Sequence, residues 1–307
     1  MGKLAFVFAG QGSQYPGMGQ ALCQDSPAAA ALFAMGEEQH PGLRALCFAG
    51  TAEALALTIN TQPCLYAVDL ACAAALAEKG VTPQGVAGFS LGELPAAAFA
   101  GVFPAAEGFA LVRRRAQLMN DCAAGCPGGM AAVLKLEKAQ VEAICAAIPG
   151  AWPVNYNCPG QTVVAFRQEA REALLAAVAA QKGRAMPLNV SGAFHSPCMD
   201  RAAEGLQQLL LDTPLRQPQL PIYANLTGQL YQGNNLAGTL ASQVNHPVQW
   251  QKTIETMAAD GYNTFVEVGP GRTLAGLIKK ILPTAVVCNV FDPASLADTL
   301  AQLNQSI

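Results

Sequence analysis

The residues best suited to covalent chemistry in this chain are a serine at position 90 and a histidine at position 195. Ser90 lies in Gly88-Phe89-Ser90-Leu91-Gly92, a G-x-S-x-G pattern. The short apolar run Val86-Ala87 leads into it, and an alanine-rich, helix-prone segment follows. In a strand–turn–helix context such a serine stands on a strained turn, its hydroxyl clear of the backbone at a helix N-terminus. Side chains at 88 and 92 would collide with the neighbouring strand and helix, so the turn demands glycine at both places. The bland alternative is an ordinary Gly-flanked turn, because the pentapeptide also arises by chance.

A serine hydroxyl needs a base to act as a nucleophile near neutral pH. The chain holds three histidines, His40, His195 and His246. His40 precedes Pro41-Gly42 among Glu37, Glu38 and Gln39 and reads as an exposed turn, while His246 precedes Pro247 and reads as a loop residue. His195, in a Gly/Ala/Phe loop, is the candidate base. An α/β-hydrolase would set an acid between its serine and its histidine. The one aspartate in that interval is Asp121, and glutamates 93, 107, 137, 142, 169 and 172 fall in helices or in a small inserted unit. An amide or backbone carbonyl is therefore expected to orient the imidazole.

The third candidate is Arg115, from Arg113-Arg114-Arg115. On a helix it shares a face with Leu111, Leu118, Met119 and Cys122, all apolar. Burying an unpaired charge is expensive, so this arginine points to a partner, either a protein carboxylate or an anionic ligand. A snorkelling or salt-bridged structural arginine is the alternative.

Composition narrows the setting. With 307 residues, 52% of them hydrophobic and 13% charged, the chain can bury a large core. A net charge of −3 without a long basic run argues against nucleic acid or an anionic membrane as partner. The ten cysteines form no C-x-x-C and no Cys/His zinc spacing. They read as reduced, buried thiols of a cytoplasmic protein, and no metal site is expected. The apolar start is too short and wrongly followed for a signal peptide, and no run reaches the roughly 18 to 20 apolar residues of a membrane span. The turn Gly10-Gln11-Gly12-Ser13-Gln14 after the first apolar run departs from the dinucleotide fingerprint. No bound cofactor is expected, and the turn's backbone N–H groups remain available.

These residues need elements to position them. Strand and helix patterns alternate from Lys3–Ala9 through helix Gln62–Glu78 to the strand before Ser90, then to a helix over Ala105–Asp121, which implies a parallel sheet. Between Gly128 and Val190 the order becomes β-α-β-β-α-β, with Cys158-Pro159-Gly160 as a hairpin turn, the pattern of a ferredoxin-like unit. The expected fold is α/β. A large α/β-hydrolase-like domain with a parallel sheet spans 1–126 and 192–307, and a small ferredoxin-like subdomain, 127–191, is inserted in it. Further strands are expected at Pro218–Ala224, Thr264–Val268 and Ala285–Asn289.

The chain resembles the malonyl-CoA:acyl-carrier-protein transacylases and, more broadly, the acyltransferase domains of polyketide synthases. The resemblance runs nearly end to end. It is carried by FAGQGSQ, TQP at 61–63, GFSLGE at 88–93, RRRAQLM at 113–119, VNYNCPGQ at 154–161, SGAFHSP at 191–197, HPVQW at 246–250 and EVGPG at 267–271. It implies Ser90 as nucleophile, His195 as base and later acid, and Arg115 as the anchor of the substrate carboxylate. The backbone N–H groups of Gln11 and Leu91 would form the oxyanion hole. The main-chain carbonyl of Gln249 would orient the histidine, which accounts for the missing acid. Ala193-Phe194-His195 is similar to the pattern associated with malonyl rather than methylmalonyl, with Phe194 lining the pocket. Phe89, another pocket residue, departs from the histidine usual there, and Leu94-Pro95 from the usual aromatic. Malonyl-CoA as substrate, an acidic acyl carrier protein as partner and a monomeric state are implied. Lys182, Arg184, Arg272, Lys279 and Lys280 are candidate carrier contacts on charge alone. The alternatives are a serine acyl hydrolase or thioesterase, a trans-acting polyketide acyltransferase, and a non-catalytic binding module.

Overall fold

Two β-sheets position the site. The computed structural model describes residues 2–232 and 235–305. Four strands form an antiparallel sheet: β3 (Gly128–Leu134), β4 (Ala151–Cys158), β5 (Gln161–Arg167) and β6 (Arg184–Pro187), in the order β4-β5-β3-β6. Five strands form a parallel sheet: β1 (Lys3–Phe8), β2 (Gly85–Gly88), β7 (Ile222–Tyr223), β8 (Tyr262–Val268) and β9 (Val286–Val290), in the order β7-β2-β1-β8-β9. β1 is central and β2 is its neighbour, so the turns after both strands, at Gly10–Gln14 and at Ser90, emerge side by side at the same sheet edge. Carboxyl ends of parallel strands are where such sheets place their sites.

Helix Thr58–Glu78 packs behind this edge and is buried almost all round, as its mostly apolar composition requires, with polar Thr58, Thr61, Gln62 and Asp69 buried among the apolar residues. It begins one turn earlier than the pattern suggested, which puts Pro63 inside it rather than in its first turn. Helix Ala105–Gly125 runs longer than expected and presents Leu111, Val112, Arg115 and Met119 to the interior. The antiparallel sheet is two-faced. On β3, Ala131 and Val133 pack with the sheet's own helices, Lys138–Ala146 and Arg171–Ala180. The alternate residues Met130 and Ala132 join the main core, as the two-residue period of a strand dictates. This second face forms one wall of the site.

Three expectations change in detail. Only Ile222–Tyr223 of the run 218–224 pairs as a strand, the last strand is Val286–Val290, and helix Pro293–Gln305 follows it. The cysteines are not all free thiols: Cys126 and Cys198 form a disulfide with Cα atoms 6.0 Å apart, while the other eight are unpaired. Cys126 ends the arginine helix and Cys198 follows the His195 loop, so a sequence separation of 72 conceals their proximity. No helix among the described residues is long and apolar enough to cross a membrane.

Candidate active site

Ser90 opens the turn between β2 and helix Glu93–Phe99, with φ of 52°, a left-handed conformation that a non-glycine residue adopts at a cost. The turn closes because glycine stands on either side of it. A Cβ at Gly88 would strike the backbone of Gly92, and one at Gly92 would strike the carbonyl of Phe8. Asn225 holds the turn from below: its side-chain oxygen accepts from the Ser90 N–H at 2.6 Å, and its Nδ2 donates to the Gly88 carbonyl.

His195 also has positive φ, 61°, and is 4% exposed. Its Nε2 lies 2.7 Å from Ser90 Oγ, and its Nδ1 lies 2.7 Å from the carbonyl oxygen of Gln243. A carbonyl only accepts, so Nδ1 carries the proton and Nε2 is left to accept from the serine hydroxyl. Burial, and secondarily the charge of Arg115, push the imidazole pKa down to about 4. The ring is therefore neutral at pH 7, as a base must be.

The expected orienting group was thus of the right kind but on the wrong residue. The carbonyl of Gln249 accepts from the Thr253 N–H (2.8 Å) and Thr253 Oγ1 (3.0 Å), because Gln249 caps helix Trp250–Ala259. Its side chain lines a separate cavity with Glu137 and Lys138. Gln243, six residues earlier, does the work at His195. A main-chain role leaves no side-chain signature, so motif matching could slide past it.

Arg115 is 1% exposed. Its Nη1 donates to Gln62 Oε1 at 2.8 Å, and its Nη2 donates to Gln243 Oε1 at 2.8 Å and Ser90 Oγ at 3.3 Å. Nε has no hydrogen-bond partner. Burial lowers the guanidinium pKa to about 10, partly offset by Glu93, so it stays charged at pH 7. Beneath the serine turn, buried Glu93 accepts from Gln243 Nε2 (2.7 Å), Tyr231 Oη (2.7 Å) and the Asn225 N–H (3.0 Å). Burial raises its pKa to about 7 despite these donors. Gln62, Glu93, Asn225 and Gln243 were not assigned roles from sequence, although Gln62 and Glu93 lie within quoted motifs.

A cavity of about 70 Å³ is lined by Ser90, His195, Arg115, Gln11, Leu91, Phe89 and Phe194, with Met119, Met130, Asn155, Leu188 and Val190. It shares Gln11, Phe89, Asn155, Leu188 and Val190 with a cavity of about 400 Å³ that runs outward past Ser13, Gln14 and helix Thr273–Ile281. Both lie between the two sheets. Phe89 packs edge-on against buried Trp250, ring centroids 5.5 Å apart. His40 and His246 are not among the residues that line this cavity: the His246 ring meets the Ser242 carbonyl and the Asn245 side chain, and His40 caps the C-terminal end of helix Pro27–Gln39. The arrangement provides a hydroxyl nucleophile, a neutral base, a buried cation and a narrow approach, the parts of an acyl transfer from an anionic acyl donor.

Comparison with known proteins gives the same answer. The family model "Acyl transferase domain" matches residues 5–292. The malonyl CoA-acyl carrier protein transacylase of Bacillus subtilis (strain 168) is 34% identical over 313 residues, covering 99% of this chain and 98% of the relative. The crystal structure of malonyl CoA-acyl carrier protein transacylase from Clostridium perfringens superposes with a TM-score of 0.95 at 35% identity, covering 99% of this chain and 98% of that one. A malonyl-transacylase solved in complex with a type II polyketide-synthase acyl-carrier protein superposes at 0.93, with 34% identity over 98% of this chain and 99% of its own. From motif order, fold and site together, the chain belongs to the acyltransferase family of malonyl CoA-acyl carrier protein transacylases.

Proposed function

We propose that Ser90, His195 and Arg115 carry the reaction of this enzyme, which transfers malonyl from malonyl-CoA to acyl carrier protein. The observation that carries the reading is the meeting of all three at one small cavity: Ser90 Oγ is 2.7 Å from the histidine and 3.3 Å from the arginine. The thioester enters through the outer cavity. His195 Nε2 takes the serine proton as Oγ attacks, and the backbone N–H groups of Gln11 and Leu91 stabilise the oxyanion, each donor contributing about 3 kcal/mol. His195 returns the proton to the CoA thiolate, leaving malonyl-Ser90. The phosphopantetheine thiol of the carrier protein then attacks the ester with His195 again as base. Gln243, rather than Gln249, orients the imidazole through its carbonyl.

Arg115 anchors the malonyl carboxylate in a bidentate pair and so disfavours acetyl. Phe194 and the small cavity leave little room for a branching methyl. Every assigned residue comes from one chain, so a monomer suffices. No cofactor takes part in these steps, and the pathway served is fatty acid synthesis in the cytoplasm. The strand order β4-β5-β3-β6 with two helices on one face supports a ferredoxin-like insert at 127–191, and the elbow at Ser90 supports a hydrolase-like main domain. Helix Thr273–Ile281, which lines the outer cavity and carries Lys280, is a candidate carrier contact. Lys279 is tied to the Ala285 carbonyl and is less available.

The test is a competition between malonyl-CoA and acetyl-CoA. Arg115→Ala is expected to cut the preference for malonyl by about 100-fold, the scale of a lost charge-assisted pair. An unchanged ratio would remove Arg115 from the reading.

A further inference from the structure

Arg115 is fully buried, yet what touches it is neutral. Two glutamine oxygens and one hydroxyl accept its hydrogen bonds, and among the described residues no carboxylate lies within ion-pair distance of it. This is unusual, since buried charges are ordinarily paired. The orientation of both amides follows from their surroundings. Gln243 directs its nitrogen at the Ser90 carbonyl, which can only accept, and at Glu93 Oε2, each at 2.7 Å, which leaves its oxygen for the arginine. Gln62, 0% exposed, directs its nitrogen at the sulfur of Met119 (3.4 Å) and its oxygen at Arg115. The nearest countercharge, Glu93, is held one amide away, behind Gln243.

We infer that Gln62 and Gln243 form a neutral cradle that fixes the guanidinium while withholding a countercharge, and that Gln62 is thereby a determinant of specificity for carboxylated acyl groups. A carboxylate at position 62 would hold the arginine equally well by geometry, but its charge would already be answered. The malonyl carboxylate would then have to displace an internal anion instead of meeting an open cation. The unpartnered Nε shows that the cradle leaves donor capacity on the guanidinium unspent. Gln62 acts through Arg115 and is a positioning residue. The inference rests on the assignment of Arg115 to the substrate carboxylate.

The near-isosteric Gln62→Glu tests it, because it exchanges only a weak N–H···S contact for a charge. Beside a guanidinium at hydrogen-bond distance the new carboxyl ionises. With malonyl-CoA, kcat/KM is expected to fall about 30-fold, mostly through KM, as for a neutralised buried cation. With acetyl-CoA it should stay within about threefold, and Tm should hold or rise. Equal losses on both substrates, or an unchanged malonyl KM, would overturn the cradle. Gln62→Met, which removes the anchor without adding charge, guards against a folding failure of the first variant. It should raise the malonyl KM about fivefold and spare acetyl, and no effect would likewise count against the inference. Arg115→Ala measured alongside separates the two levels. If it fails to reduce the malonyl preference, the anchoring reading falls. If it succeeds while the Gln62 variants do not, only the cradle falls.

Discussion

At the scale of single residues, the site depends on burial used to set protonation. His195 loses its proton readily because it is enclosed and faces Arg115, and Gln243 fixes which nitrogen retains the remaining one. The rate of Ser90 acylation should therefore stay flat as pH falls through 6.5, the ordinary histidine value, and drop only as it nears about 4. A limb at 6.5 in stopped-flow acylation would show an imidazole in ordinary solvent. Phe89 is a packing residue, edge-on to Trp250. Phe89→His should cost about 1 kcal/mol in denaturant melts through the lost aromatic contact, with kcat/KM changed less than threefold. The sequence made Ser90, His195 and Arg115 legible because each announces itself by type: a glycine-flanked serine, a histidine without rivals, an arginine on an apolar stripe. Gln243 was missed because its carbonyl, not its side chain, meets the histidine. Gln62 was missed because a buried glutamine has no meaning until the arginine opposite is seen.

At the scale of elements, the site is a meeting of segment ends. The turns after β1 and β2, the middle of helix Ala105–Gly125 and the His195 loop converge, and the inner face of β3 closes over them. Element types were readable because apolar periodicity is strong over long runs. The short strand at Ile222–Tyr223 and the first turn of helix Thr58–Glu78 were not, because pairing and packing settle ends where propensity is weak. The glycine turn allows a direct check. Gly92→Ala would drive a methyl into the Phe8 carbonyl and should lose more than about 3 kcal/mol or fail to give soluble protein. The disulfide between the end of the arginine helix and the His195 loop allows another. Alkylation of the denatured, unreduced protein should label eight cysteines, and ten after reduction. Ten without reductant would show that the two segments are held by packing alone.

At the scale of the whole molecule, several buried carboxyls oppose alkaline pH. Asp69 is fully buried without a hydrogen-bond partner, and burial, reinforced by Glu267, raises its pKa well above normal. Burial also lifts Glu93 and Glu267 to about 7, although Glu267 caps helix Thr273–Ile281 through the N–H groups of Leu274 and Ala275. A carboxyl whose folded pKa is raised contributes stability fully present below its unfolded value and lost as pH climbs through the folded one. His195 works in the opposite sense, but only between about 4 and 6.5. Three carboxyls outweigh the one imidazole, so Tm should decline as pH climbs to about 7, where Glu93 and Glu267 finish titrating, with Asp69 continuing the loss beyond them. Asp69→Asn should raise Tm at about pH 8 by 2 °C or more. A flat profile would mean these groups reach solvent. The central claim, that Ser90 carries malonyl between two thiols, is tested most directly by intact mass. Mixed with malonyl-CoA, the enzyme should gain the mass of one malonyl group, located on Ser90 and absent from Ser90→Ala. Adding carrier protein with its pantetheine thiol should discharge it onto that thiol. An enzyme that transfers malonyl without ever showing the adduct, or that loses the group to water as fast as to the carrier, would contradict the account.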